Sequence, residues 1–215
     1  MPLVISDKCK YIFFHIPKNA GVSVSNILMN NEKKLKIKHF LTYFTPYLWG
    51  RNNNFYISKN DNKLVKFNSH ITCYDFFNLF QKNEFENYFK FAIVRNPYDR
   101  AVSRYVYSKQ VSNKFKNFTF NEFLEYDFKY NLKVLDQFTF CTKDQKNICL
   151  DKILKFEKLD EVMDLTFRFY EKKIKPKHLN QTKKKAFQEF YDFSSKQIIK
   201  KFLSKDLEYF GYDFE

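Results

Sequence analysis

The stretch from Tyr11 to Asn30 constrains the fold of this chain more than any other. An apolar run, Tyr11 to Ile16, ends at Pro17, and a lysine and a small loop lead at once into Val22 to Asn30, which can wind as a helix. Pro17 has no N–H with which to extend a ladder, so a strand is expected to stop there and a helix to begin a few residues on. This layout also makes an anion site, because the first turn of a helix offers unpaired N–H groups and the positive end of its dipole. Gly21, one of only three glycines in the chain, lies in the loop, where a side chain would obstruct close approach of the backbone to an oxyanion. Lys18 supplies a point charge, Ser23 a hydroxyl at the helix start and Ser25 a further donor. A nucleoside-triphosphate loop places lysine after its glycines, followed by a hydroxyl for magnesium. Here Lys18 precedes Gly21, so the loop is phosphate-like without the order of a metal-dependent kinase. Taken alone, the same residues also fit a plain strand-turn-helix joint with a surface lysine.

A second joint of this kind spans Phe91 to Tyr107. Phe89 to Val94 reads as a buried strand, Arg95 stands at its end, and Asn96-Pro97 forces a turn before a helix from about Tyr98 to Ser112. Strand ends of a parallel sheet are where α/β proteins hold ligands, and a guanidinium with a helix hydroxyl, Arg95 with Ser103, suits a phosphate monoester. The competing reading pairs Arg95 with Asp99 as a helix cap.

Together the two segments resemble the sulfotransferases that use 3′-phosphoadenosine 5′-phosphosulfate (PAPS), in the branch that modifies carbohydrates. That family's 5′-phosphosulfate loop is similar to His15-Ile16-Pro17-Lys18-Asn19-Ala20-Gly21-Val22-Ser23, and its 3′-phosphate segment to Val94 through Tyr105, VRNPYDRAVSRY. Further likeness lies at Phe156-Glu157-Lys158-Leu159, at His178 to Thr182 and at Asp206 to Tyr212, so it runs nearly the length of the chain. Asn19 and Val22 stand where threonine is usual, and backbone N–H groups would replace the missing hydroxyls. The resemblance implies that Lys18 and the backbone of Asn19, Ala20, Gly21, Val22 and Ser23 bind the 5′-phosphosulfate and that Arg95 and Ser103 clasp the 3′-phosphate, with PAP, the 3′,5′-bisphosphate, as product. It also implies that the segment after His178 folds over the nucleotide, bringing Lys183 to Lys185 near the 3′-phosphate or the acceptor. Sulfuryl transfer rests on positioning and cationic stabilisation of spread charge, so no metal is called for.

A hydroxyl acceptor must lose its proton, and His70 is the candidate general base. It sits in Asn68 to Phe76, between a strand over Leu64 to Phe67 and an amphipathic helix over Tyr74 to Gln81, and histidine titrates near neutrality. The segment resembles the G-H-x-x-x-x-D-F stretch of the uronosyl 2-O-sulfotransferase group, with Ser69 in place of glycine. A lone histidine after a strand is also a common capping residue. His15, inside the apolar run, reads as a core residue, and His39 and His178 as solvent or substrate-side groups.

The chain carries 38 Lys and Arg against 24 Asp and Glu, a net charge of +14, which favours polyanionic partners: the nucleotide and an acidic glycan acceptor. Nucleic acid is the rival, but the lysines are dispersed and no nucleic-acid-binding motif is present. A metal-dependent nucleotide kinase would need a hydroxyl after its lysine and an acidic magnesium ligand at a strand end, and neither is evident. The aromatic content, 28 Phe and 15 Tyr, fits coding bias or a sugar-stacking surface, and Tyr105, Tyr107 and Phe115 are periodic enough to be core. Cys9, Cys73, Cys141 and Cys149 lack metal spacing; Cys141 and Cys149 could pair in an oxidising compartment, or all four could stay thiols. No N-terminal apolar run is long enough for a signal peptide or anchor, so the chain as given is expected to be soluble and cytoplasmic, with the Golgi lumen the alternative for a truncated form.

Further along, Lys33 to Phe44 could be helix and Trp49 to Asn62 a loop or hairpin, Phe120 to Phe128 and Asp160 to Tyr170 have helical spacing, and Lys152 to Phe156 is a short strand. A last helix is expected over Ser194 to Ser204. The expected architecture is one α/β domain over 1–215, with a parallel sheet of about five strands flanked by helices, the P-loop-like sulfotransferase fold.

Overall fold

The structure, a computed structural model, describes residues 3–6, 8–33, 54–58, 64–68, 70–79, 85–176 and 186–215. Ser69, His39, His178, Lys183 to Lys185 and the helix expected beyond Lys33 lie outside them. The elements run β1 (Val4–Ser6), β2 (Tyr11–Phe14), α1 (Gly21–Lys33), β3 (Asn54–Ser58), β4 (Leu64–Asn68), α2 (Cys73–Leu79), β5 (Phe89–Val94), α3 (Pro97–Val111), α4 (Phe120–Leu135), α5 (Gln137–Phe140), β6 (Lys152–Lys155), α6 (Val162–Tyr170), α7 (Phe193–Phe202) and α8 (Ser204–Phe210).

The architecture is α/β, with helices on both faces of a mostly parallel sheet. Its strand order is β1-β2-β5-β6, and β2, β5 and β6 are parallel, with Phe13 opposite Phe91 and Phe91 opposite Lys152. Successive side chains of a strand point to opposite faces, and here both faces are covered. Tyr11, Phe13, Phe91, Ile93 and Leu154 pack against Val24 and Leu28 of α1 and Val162 and Leu165 of α6. Ile12, Phe14, Ala92 and Val94 pack on the other side with Phe76 of α2, Phe138 and Phe140 of α5 and Phe210 of α8. Double burial is the reason β2 and the Phe91–Val94 part of β5 read as apolar runs. A third cluster joins α3, α4 and α7 through Tyr98, Val102, Phe123, Leu124 and Ile199.

Among the described residues the sheet has four strands where about five were expected, and β1 pairs antiparallel with β2. Only residues 7–10 join these two strands, far too few for the crossover that parallel pairing needs. β4, the strand expected over Leu64 to Phe67, pairs instead with β3 in a separate antiparallel ladder, the hairpin alternative for the turn-rich stretch before it.

Helix starts follow local chemistry. Asn96 caps α3, its side chain accepting from the Tyr98 N–H at 3.0 Å with Pro97 in the first turn, and Thr119 and Glu122 form a reciprocal capping box on α4. The helix expected over Ser194 to Ser204 is α7, and a further helix, α8, follows it and is closed by Gly211 at φ 60°. All four cysteines are free thiols; Cys149 Sγ donates to the Cys141 carbonyl at 3.3 Å. No helix among the described residues is long and apolar enough to cross a membrane.

Candidate active site

Because β2 and β5 are parallel neighbours in register, the loop after β2 and the turn after β5 open on the same end of the sheet, where α/β proteins place ligands. Lys18 and Ala20 adopt φ of 68° and 59°, with Asn19 between them on the ordinary side. Such alternation turns successive N–H groups toward one concave side, a backbone form that receives anions. Left-handed backbone at a residue with a Cβ costs roughly 1 kcal/mol, so something must hold it. Two guanidinium groups do: Arg100 Nε donates to the Pro17 carbonyl at 2.9 Å, and Arg95 Nη1 to the Lys18 carbonyl at 3.0 Å.

The loop's own side chains divide between site and core. Asn19 points inward, its Nδ2 donating to the Ile93 carbonyl and to Gln137 Oε1, each at 2.7 Å, which limits its part in an anion site to its backbone. Val22 is partly exposed, Ser23 is buried at the helix start, and Ser25 is fully buried, so its hydroxyl is not offered to a ligand. Gly21 has a reason that sequence reading did not foresee. A Cβ there would stand 1.8 Å from Cδ2 of His15, whose buried ring stacks parallel to Phe13. The helix start packs directly on that histidine, which is the core residue expected.

Lys18 carries the loop's charge. Burial, then the Arg95 and Arg104 charges, lower its pKa to about 8. No carboxylate pairs with it among the described residues; its Nζ lies 4.0 Å from the centroid of the Tyr107 ring. Tyr107, expected in the core with Tyr105 and Phe115, is instead 49% exposed, while Tyr105 is buried and Phe115 packs at the edge of the α3–α4–α7 cluster.

Arg95 is held from three sides. Its Nε and Nη2 reach Asp99 Oδ2 at 2.8 and 2.6 Å, the ion pair of the competing reading, and the guanidinium also lies 4.1 Å from the Phe156 ring centroid. Burial lowers its pKa to about 10, against the opposing pull of Glu157 and Tyr212, so it stays charged. Its contacts to Asp99 and Lys18 use three N–H groups of the five that a guanidinium carries. Asp99, Ser103 and Tyr107 recur every four residues and share one face of α3. Asp99 meets Arg95 and Tyr107 meets Lys18, so buried Ser103 lies between them on that face.

His70 follows β4 and precedes α2. Its Nδ1 is 3.2 Å from the His15 carbonyl, and its ring meets the His15 ring edge-on at 5.0 Å. A carbonyl only accepts, so Nδ1 carries the hydrogen and Nε2 keeps its lone pair, the tautomer a general base needs. Burial lowers the pKa to about 4, outweighing the His15 carbonyl, with Arg100 and Arg104 adding to the depression. The ring is therefore neutral at pH 7.

The Sulfotransferase family model matches residues 1–213. The chain belongs to the sulfotransferase family. Its fold is that of an α/β sulfotransferase, and membership supports sulfuryl transfer as the reaction class. Among curated relatives, an uncharacterized protein of Archaeoglobus fulgidus is 34% identical over 80 residues, a match covering 37% of this chain and 65% of that protein, so the chain spans less than two thirds of its relative's length. No solved structure matches the chain.

Several groups around this candidate site escape pattern reading. Arg100 is fully buried, its pKa lowered to about 9 by burial and then by Arg104, yet it holds the loop. Arg104 makes a two-pronged bridge to Asp127, both bonds at 2.7 Å, and Asn131 supports that carboxylate at 2.8 Å. The position of both arginines in VRNPYDRAVSRY was the available signal. Glu157 and Asp75, carboxylates of the Phe156–Leu159 and Asn68–Phe76 segments, are committed elsewhere. Glu157 accepts from the Asn96 N–H at 2.9 Å and the Tyr212 hydroxyl at 2.7 Å, and Asp75 exchanges bonds with Thr72 at the start of α2.

Proposed function

We propose that this sulfotransferase uses PAPS and transfers the sulfuryl group in line to a hydroxyl on a carbohydrate or glycan, as in the uronosyl 2-O-like branch that its motifs resemble, and that residues 1–215 act as one catalytic unit. The observation that carries this reading is Lys18: an ammonium without a carboxylate partner among the described residues, set over a neutral ring beside an anion-receiving backbone and crowded by Arg95 and Arg104. Such a site is completed by a ligand with several negative charges. Lys18 and the backbone of Asn19 to Ser23 hold the 5′-phosphosulfate, and Arg95 with Ser103 the 3′-phosphate. The bound nucleotide supplies an activated sulfuryl group. Lys18 stabilises charge developing on the leaving oxygen, and Nε2 of His70 takes the proton of the acceptor hydroxyl. The +14 net charge suits an acidic saccharide.

A thermal-shift comparison tests the reading. PAP without magnesium should stabilise the protein by about 2–3 kcal/mol at roughly a hundredfold excess over its dissociation constant. A melting temperature unmoved by saturating PAP, but raised by ATP with magnesium or by single-stranded DNA, would make the reading wrong.

A further inference from the structure

A single carboxamide joins the two halves of the site. Gln137, the first residue of α5, is fully buried. Its Oε1 accepts from Asn19 Nδ2 at 2.7 Å and from the Arg95 N–H at 3.0 Å, while its Nε2 donates to the Arg95 carbonyl at 2.9 Å. Bonding both N–H and C=O of one residue is what a neighbouring strand does. The side chain thus prolongs the ladder past Val94 and fixes the backbone from which the Arg95 guanidinium departs. Through Asn19 the same oxygen fixes the loop that carries Lys18.

Asp206 decides which way the amide points. Its Oδ2 accepts from Gln137 N–H and Nε2, both at 3.1 Å, and its Oδ1 from the Phe138 N–H at 2.7 Å. A flipped amide would set an oxygen against this carboxylate and a nitrogen against the Arg95 N–H, so one orientation survives.

Resting on the proposed roles of Lys18 and Arg95, we infer that Gln137 is a positioning residue that sets the spacing between the 5′-phosphosulfate loop and the 3′-phosphate arginine, so that recognition of the two ends of PAPS is coupled through it. The guanidinium leaves a backbone locked by Gln137 and then itself grips the Lys18 carbonyl, closing a ring of contacts: Gln137, Arg95, Lys18, Asn19 and back to Gln137. Opening that ring at the buried carboxamide lets the two anion sites drift apart, and misplacements on the order of 1 Å are enough to cost a hundredfold in such constellations.

Calorimetric affinities for PAP and adenosine 5′-monophosphate (AMP), taken across wild type, Gln137→Met, Arg95→Ala and the double variant, test this. Methionine keeps the volume and removes both hydrogen-bonding functions. Gln137→Met should weaken PAP about tenfold or more and narrow the preference for PAP over AMP, and most of that loss should vanish in the Arg95→Ala background. Equal, additive losses for both ligands would reduce Gln137 to a packing residue and overturn the inference. If Gln137→Met does not fold, Asn19→Ala replaces it in the same cycle, cutting the loop's bonds to the carboxamide and to Ile93; coupling to Arg95→Ala supports the inference, and additivity overturns it. A wild type that fails to bind PAP sinks the proposed function and this inference together, whereas PAP binding with an additive cycle sinks the inference alone.

Discussion

The two strand-to-helix joints at the end of the sheet look alike in outline but obtain their shape by opposite means. In the joint after β2 the backbone is unusual: left-handed at Lys18 and Ala20, and packed so tightly that Gly21 meets the His15 ring. In the joint after β5 the backbone is ordinary, with an Asn96 cap, Pro97 in the first turn and no left-handed residue. There the work falls to long side chains. Arg95, Arg100 and Arg104 leave one short stretch, and two of them hold carbonyls of the first joint. The first joint therefore does not keep its own shape; the second imposes it. Backbone damage should be felt at the first, and loss of side chains at the second should be felt at both.

The largest expected effect is Gly21→Ala. The new methyl would lie 1.8 Å from a ring that is itself stacked parallel to Phe13 and edge-on to His70, so the neighbour cannot simply turn away. Overpacking of this kind should cost about 3 kcal/mol in denaturant unfolding. Ser103→Ala, on the regular helix of the second joint, should cost about 1 kcal/mol or less. A Gly21→Ala protein within 1 kcal/mol of wild type would show that the His15 ring has room, and the contrast between the joints would weaken.

Next in size are the two cations. On the proposed function, Lys18→Ala removes charge beside the leaving oxygen, and it should lower turnover roughly 10²-fold and also loosen the nucleotide. Arg95→Ala should weaken PAP by about 2 kcal/mol and erase its preference over AMP, with Ser103→Ala costing less. The comparison is sharpened by the turnover of Arg95→Ala at saturating PAPS. Since Arg95 also holds the Lys18 carbonyl, turnover should fall as well as affinity. Unchanged turnover there would mean that the loop keeps its shape without the second joint.

What could be read from the sequence was what lies close together along the chain. The limits of β5 follow from one apolar run, α3 starts where Asn96-Pro97 requires, and the Arg95–Asp99 pair is a contact across one helical turn. β1 was hidden because three residues carry no period and its antiparallel pairing depends on a short turn. Tyr107 was read as core because its aromatic neighbours are; its place on the Asp99–Ser103 face, under Lys18, needed the packing of the loop against α3. Gln137 has no local signature at all: its partners lie 118 residues before it, 42 before it and 69 after it. A buried polar residue is recognisable only once its partners are in place.

The smallest expected effect bears on how differently the two groups of the first joint and its neighbour titrate. In the proposed roles, His70, neutral above about 4, must be unprotonated to accept a proton, and Lys18, charged below about 8, must be protonated to stabilise the leaving oxygen. The free enzyme's kcat/KM should therefore rise through about pH 4, stay level, and fall above about pH 8, losing roughly tenfold one unit beyond that point. The nucleotide's own phosphate titrates within this range, so the informative quantity is the wild-type profile divided by that of each variant, in which the ligand's ionisation cancels. Against Lys18→Ala the ratio should carry only the alkaline limb, and against His70→Ala only the acidic one. An alkaline limb that persists in Lys18→Ala would assign it to another group and detach the lysine's depressed pKa from the chemistry, while an acidic limb that persists in His70→Ala would remove this histidine as the base. Glu157, bonded to Asn96 and Tyr212, and Asp75, bonded to Thr72, would then be the next carboxylates to vary as the proton acceptor.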